Sequence, residues 1–308
     1  MSEIVRLALV GAGRMGRVHL QAAERARGVD VTAVVDPVDE ARAALAATGM
    51  RTHPSVEELL AAGGFDAAVV AAPSELHVEL VRVLATKGFP VLCEKPCGLS
   101  AEDVRAAAEA ADAAGTLLQV GYWRRFVPAL GRLRARIGDG GLGEVSFVSS
   151  YQWDEHPPSA AFRATSGGIV LDMGVHEFDQ LRWLTGQEIG RLEAAAVVAS
   201  DGAESAGFIA ELSGGAIGVA SLGQRFGLPD SCWVEVIGTR GHAREPFMWG
   251  AEGERVFLDA IAAQLEAFAR AIGSGSTGPA ATAEDAIAAL EAAERAAEAL
   301  AGARAAHP

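Results

Sequence analysis

Short apolar runs alternate with stretches of helical composition through the first 120 residues. Val5–Val10 is almost continuously apolar and rich in β-branched side chains, the pattern of a strand covered on both faces. Arg17–Arg27 reads as a helix and Val31–Val35 as a second strand. The rhythm continues with a helix at Ser55–Ala62, a strand at Asp66–Ala72, a helix at Glu75–Lys87 and a strand at Pro90–Cys93. A helix at Ala101–Ala114 and a last strand at Leu117–Val120 complete it. Such alternation predicts a doubly wound parallel sheet of the Rossmann type, an α/β half.

Beyond residue 121 the period changes. Glu144–Trp153 places Val145, Phe147, Tyr151 and Trp153 on one side, and strands follow at Arg191–Ser200, Gly207–Leu212, Ala216–Gln224 and Trp233–Gly238. With Gly214–Gly215 as a hairpin signal, these predict an α+β domain built on a mostly antiparallel open sheet. Phe257–Ile272 is amphipathic, and the glycine- and serine-rich stretch 273–279 reads as a connector. Thr282 is placed to cap an alanine-rich helix reaching about Ala301, with Asp285 in its first turn. The expected division is therefore 1–121 and 122–308.

The turn after the first strand carries the chemistry. Gly11-Ala12-Gly13-Arg14-Met15-Gly16 is G-x-G-x-x-G between a strand and a helix, and Asp36 ends the second strand twenty residues beyond Gly16. Glycines there allow a tight turn, close approach to a pyrophosphate and close helix packing, while the helix N-terminus offers free N–H groups to phosphate. An acid at Asp36 accepts hydrogen bonds from ribose hydroxyls and repels a 2′-phosphate, which predicts NAD in preference to NADP. Gly11, Gly13, Arg14, Met15 and Asp36 are the first candidate cofactor contacts. Ligands of such sheets lie beyond the strand ends, which adds Ala72, Pro73, Glu94 and Lys95. His77 joins them as a candidate, although it reads equally well as a capping or packing histidine.

Composition narrows the partners. The 308 residues hold 26 Lys and Arg against 40 Asp and Glu, a net charge of −14 that argues against nucleic acid and anionic lipid surfaces. Cys93, Cys97 and Cys232 form no C-x-x-C pair, and the seven histidines are scattered, so neither a disulfide framework nor a metal site is expected. A reducing cytoplasm suits such a chain, and no leader or long apolar span is apparent.

Three blocks in order complete the pattern. Glu94-Lys95-Pro96 follows a strand and an Ala-Pro-x-x-x-His stretch; Val120-Gly121-Tyr122-x-Arg124-Arg125-Phe126 comes next; then Ser166-Gly167-Gly168-x-x-x-Asp172-x-Gly174-x-His176-x-x-Asp179. Together they resemble the Gfo/Idh/MocA family, the group of glucose-fructose oxidoreductase and inositol dehydrogenase. The resemblance implies oxidation of a secondary alcohol on a cyclitol or sugar, inositol being the leading candidate, with Lys95, Asp172 and His176 as the catalytic set. It also implies a homodimer or homotetramer formed through the second sheet.

The residues suit that chemistry. A histidine at His176 can take the hydroxyl proton, Asp172 four residues earlier falls on the same helical face, and the Lys95 ammonium can stabilise a developing alkoxide. These groups are expected to converge on one reactive carbon. Asp172 and His176 also read as an ordinary helix pair. Arg125 reads equally as a substrate contact or a residue of the domain junction, and Trp153, Asp154, His156 and Arg163 are further candidates for substrate contact. Cys97, Gly98 and Trp123 depart from the usual inositol dehydrogenase pattern, so another sugar dehydrogenase and a catalytically silent NAD-binding protein stay open.

Overall fold

The computed structural model describes residues 4–227, 229–249 and 252–306; His307 and the start of the chain at Met1 lie outside the described residues. The chain forms two compact units, one of Met1–Trp123 with Leu258–Ile287 and the other of Arg124–Phe257 with Ala288–Pro308. A single division between 121 and 122 thus needs correction, because the chain returns to the first unit late in the sequence. The reason lies in specific bonds. Within α9 (Gly253–Ser274), Asp259 pairs with Arg25 at 3.0 Å and Glu266 accepts the Arg27 N–H at 2.9 Å, and the Ala281 carbonyl accepts from Val120 N–H on the last strand of the first sheet.

The first unit carries six strands, β1 (Val5–Val10), β2 (Val29–Val35), β3 (Thr52–His53), β4 (Ala67–Val70), β5 (Val91–Cys93) and β6 (Leu118–Val120). Their order is β3-β2-β1-β4-β5-β6, and every pairing is parallel. Leu7, Leu9, Val34, Val69, Val70 and Leu92 are each at most 2% exposed, so the sheet is buried on both faces, as its continuous apolar runs require. Helices α1 (Arg14–Ala23), α2 (Asp39–Ala46), α3 (Val56–Ala62), α4 (His77–Thr86) and α5 (Ala101–Ala113) form the crossovers. The sequence pattern passes over α2 and the two-residue edge strand β3, both too short and too polar to register as periodic segments. Strand order reverses between β1 and β4, the switch point at which such sheets take ligands.

The second unit holds α6 (Pro128–Gly138), β7 (Val145–Trp153), α7 (Ala160–Thr165), α8 (Val175–Thr185), β8 (Ile189–Val198), β9 (Glu204–Leu212), β10 (Ile217–Gly223), β11 (Ser231–Gly238) and β12 (Gly241–Trp249). Its sheet runs β12-β11-β7-β10-β9-β8, with β7–β10 parallel and the other pairs antiparallel. Alternation is plain in β9, where Ala206, Phe208, Ala210 and Leu212 are buried and Ile209 is 57% exposed. On β7 the better buried side chains are Val148 and Ser150, which share the face of α8. The aromatic row of β7 occupies the other face. Tyr151 stacks on Trp233 at 4.9 Å, with Trp153 and Phe226 beside it. Finally α10 (Ala283–Ala306) opens with a reciprocal cap, Thr282 N–H to the Asp285 carboxylate and Asp285 N–H to the Thr282 hydroxyl. Among the described residues no helix is long and apolar enough to cross a membrane.

Candidate functional site

At the switch point of the first sheet the chain turns at Gly11, whose φ of +100° suits glycine. A Cβ there would lie 2.7 Å from the Ala71 carbonyl oxygen, and one at Gly16 would lie 2.0 Å from the Gly11 carbonyl oxygen. Those two glycines answer to the protein itself. At Gly13 a Cβ would meet no protein atom within 4 Å, so the space beside it is open to a bound group. Gly13 is the N-cap of α1, makes no side-chain capping bond, and has no acid in the turn that follows. This leaves the first N–H groups of α1 for an anion, the fit a pyrophosphate needs. Arg14 is exposed and Met15 half-buried beside them.

Asp36 closes the other side of the cradle. Its carboxylate accepts the Ala12 N–H at 2.8 Å and the Val38 N–H at 2.9 Å, which fixes it beside the glycine turn. Each oxygen keeps a lone pair for a ribose hydroxyl. Arg42, a nearby cation able to favour a 2′-phosphate, donates to the Asp36 carbonyl at 2.7 Å and pairs with Asp39. The donor set therefore fits NAD.

The loops after β4 and β5 border the same sheet edge. Ala72 and Pro73 lead into a 3-10 turn at Ser74–Leu76, and Glu94-Lys95-Pro96 follows β5, with a cis Lys95–Pro96 peptide bond. Two residues expected among the cofactor contacts face inward instead. Glu94, 4% exposed, accepts from His19 of α1 at 2.7 Å and from the Lys95 N–H at 3.2 Å. Burial alone would raise its acid. The His19 hydrogen bond and the positive charges of His19, Lys95 and His77 outweigh burial and hold it below the ordinary carboxylate range. His77 places both ring nitrogens on carbonyl oxygens, those of Pro96 at 2.7 Å and Ala72 at 2.8 Å. Both side chains brace the Lys95 loop from within.

In the second unit the Ser166–Gly168 loop is tied down by Glu204 of β9, which accepts the Ile169 N–H at 2.9 Å. A π-helical turn, Val170–Gly174, follows and carries Asp172, half-buried; α8 then starts at Val175 and carries His176, 7% exposed. The four-residue spacing thus crosses a π turn, a feature frequent at functional sites, and not one regular α-helix.

Behind His176 lies a buried polar network. Arg124 donates to Glu177 at 2.6 Å and to Gln180 at 3.3 Å, and is bonded to Gln152. Ser150 of β7 donates to Glu177 and accepts from Gln180 at 2.8 Å. Arg125, a candidate substrate contact, is committed elsewhere: its guanidinium makes a paired contact with the Asp179 carboxylate and both side chains are buried. It braces α8. Trp153 also moves out of the candidate group, because its indole lies on the sheet face away from α8, over Gly223, and donates to Ser221 at 3.1 Å. His156 is a surface residue near Glu155, and Arg163 donates to the carbonyls of Pro158 and Asp201.

Asp154 behaves differently. It follows the last residue of β7 on the α8 side, and its carboxylate accepts from Gln152 at 3.1 Å. Burial pushes its acid up to about 6; the Asp230 and Asp172 carboxylates add to the rise while Gln152 and Arg124 oppose it. A folded-state value raised above the unfolded one means that stability falls as pH rises from about 4 to about 6 and stays lower above that. Asp154→Asn is therefore expected to stabilise the protein at neutral pH by roughly 1–3 kcal/mol, with little difference near pH 4. Urea unfolding of both proteins across that range checks it; a pH-independent difference contradicts it.

Gln152, Glu177 and Gln180 escape sequence reasoning, since a glutamine or glutamate within a strand or helix carries no local signal until its partner is known. Among the described residues no group of three or more His, Cys, Asp or Glu side chains is arranged to hold a metal ion, and all three cysteines are buried free thiols.

Comparison with known proteins adds an independent line. Residues 5–122 match the model described as an oxidoreductase family with an NAD-binding Rossmann fold, and residues 131–244 match the GFO/IDH/MocA C-terminal domain. The rhizopine catabolism protein MocA of Rhizobium meliloti is 48% identical over 302 residues, spanning 96% of this chain and 95% of that protein. An inositol 2-dehydrogenase of Rhizobium meliloti (strain 1021) is 33% identical over 244 residues, 77% of this chain and 74% of its own length. Among solved structures, GenD2 from gentamicin A biosynthesis in complex with NAD superposes with a TM-score of 0.88 at 27% identity, over 98% of this chain and 95% of that one.

Proposed function

Because the chain belongs to the GFO/IDH/MocA family of NAD-dependent oxidoreductases acting on CH–OH groups, we propose that its substrate is a cyclitol, an inositol or a close derivative, oxidised at one secondary hydroxyl to the ketone. The observation that carries this reading is the occurrence in one chain of an intact dinucleotide cradle ending at Asp36 and a strand-end ammonium, Lys95. With them stands an acid–imidazole couple, Asp172 and His176, on a braced helix start. Likeness to an inositol 2-dehydrogenase supports the substrate class.

Bound NAD would supply a hydride acceptor for the alcohol carbon. Gly11, Gly13 and the first turn of α1 would hold its phosphates and Asp36 the adenosine ribose, with Arg14, Met15, Ala72 and Pro73 beside them. His176 takes the hydroxyl proton, so that the alcohol loses one hydride and one proton and the carbonyl forms. Lys95 lends positive charge to the oxygen while it carries alkoxide character. Asp172 orients the imidazole and stabilises its cationic form.

A panel of inositol isomers and hexoses, followed by NADH absorbance and repeated with NADP, tests the reading. It is supported by turnover of one or more cyclitols with NAD at least roughly tenfold more efficient than with NADP, a difference of about 1.4 kcal/mol. It is overturned by activity confined to hexoses or by NADP preference.

The open face of the second sheet supports a homo-oligomer. Ile237, Phe147 and Ile217 lie directly across from one another, with Ile209 57% and Val197 71% exposed on the same face. An apolar patch of this kind marks an interface. Ile209→Lys is expected to shift the protein to monomers in analytical ultracentrifugation, where the parent sediments as a dimer or tetramer. A monomeric parent contradicts it.

A further inference from the structure

His77 is 1% exposed and its two ring nitrogens face only carbonyl oxygens, at 2.7 Å and 2.8 Å. A carbonyl oxygen can only accept. A neutral imidazole owns one N–H, so one nitrogen would press a lone pair against an oxygen lone pair at hydrogen-bond distance, with both groups cut off from water. An imidazolium has two N–H groups and satisfies both acceptors. Glu94, itself buried and with its acid held below the ordinary carboxylate range, supplies a counter-charge nearby. Lys95, His19 and the Cys93 thiol are the other charged or titratable groups around Glu94 among the described residues.

The two carbonyls belong to different loops. Ala72 follows β4, and Pro96 directly follows Lys95 after β5. The ring therefore ties the two strand-end loops together, while Glu94 holds the Lys95 N–H from the other side. We infer that His77 is a positioning residue, a doubly protonated staple between the Ala72 and Pro96 carbonyls that fixes the backbone carrying Lys95. It acts through Lys95 and touches neither substrate nor cofactor. The inference rests on the reading that Lys95 serves the reaction, but the state of the ring can be measured without it.

The test has two arms on the full chain. In protein labelled with ¹⁵N-histidine, the ring resonances of His77 are assigned by their loss in His77→Gln and are expected to show a proton on both nitrogens at neutral pH. A single ring proton overturns the staple whatever the enzyme does. In the second arm, His77→Phe keeps the ring shape and removes both donors, and should lower kcat by roughly 10- to 100-fold through misplacement of the Lys95 loop, with the KM for NAD changed far less. His77→Gln, whose carboxamide restores donors, should recover part of that loss. Equal kcat values for the Phe and Gln variants, or a loss confined to the KM for NAD, would overturn the positioning role. Failure of the wild-type protein to oxidise any cyclitol would instead remove the proposed function and leave the ring measurement standing.

Discussion

His176→Ala lowers kcat for cyclitol oxidation by roughly 10²- to 10⁴-fold, the usual contribution of a positioned general base. The proposed dinucleotide cradle, Gly11, Gly13 and Asp36, belongs to the first unit and His176 to the second, so NADH binding measured by fluorescence should stay close to that of the parent protein. Such a loss of kcat without loss of cofactor affinity is what removal of a group that acts mainly in the transition state produces. Its surroundings support the assignment. The side chain is 7% exposed at the start of a helix whose next residue, Glu177, is bonded to Arg124 and Ser150, so the imidazole projects from rigid backbone. Steady-state kinetics on the best substrate of the cyclitol panel check it. A variant retaining more than about a tenth of parental kcat would assign the proton to another acceptor, and Asp172 would be the first to examine.

Arg124→Leu destabilises the second unit by about 3–5 kcal/mol, the cost of leaving a buried charge without its partner. The arginine is 3% exposed, and Glu177, which it neutralises, is fully buried. Removing the guanidinium strands a carboxylate whose remaining partner, Ser150, is neutral. The double variant Arg124→Leu with Glu177→Leu should recover much of the loss, because two apolar side chains replace the pair and no buried ion remains. Denaturant unfolding of the two single variants and the double variant gives the coupling directly. Additive losses would show that the Arg124–Glu177 ion pair is not the source of the destabilisation.

The division between legible and hidden features follows from the range of the interactions. The strands and helices of the first sheet, the glycine turn and Asp36 are legible because each depends on neighbours within about thirty residues, where strand period, glycine spacing and one acid fix the geometry. The cap of the last helix, Thr282 with Asp285, is local in the same sense. The roles of Arg125, Glu94 and His77 were not legible. Arg125 is engaged by Asp179, fifty-four positions away, and Glu94 by His19, seventy-five away, and no periodicity links such partners. Trp153 shows the limit of alternation, which tells which side chains share a face, whereas only the position of α8 tells which face it covers. The late return of the chain to the first unit has the same origin, since it depends on Arg25 and Arg27 meeting Asp259 and Glu266 more than 230 positions later.

Deuterium tracing tests the central claim most directly. A cyclitol carrying deuterium on every ring carbon is turned over with unlabelled NAD, and the reduced cofactor is recovered and weighed by mass spectrometry. Hydride transfer from a secondary alcohol carbon predicts NADH heavier by one deuterium, with one ketone formed for each NADH. Recovery of unlabelled NADH, or conversion of the cyclitol with no net reduction of NAD, would contradict it.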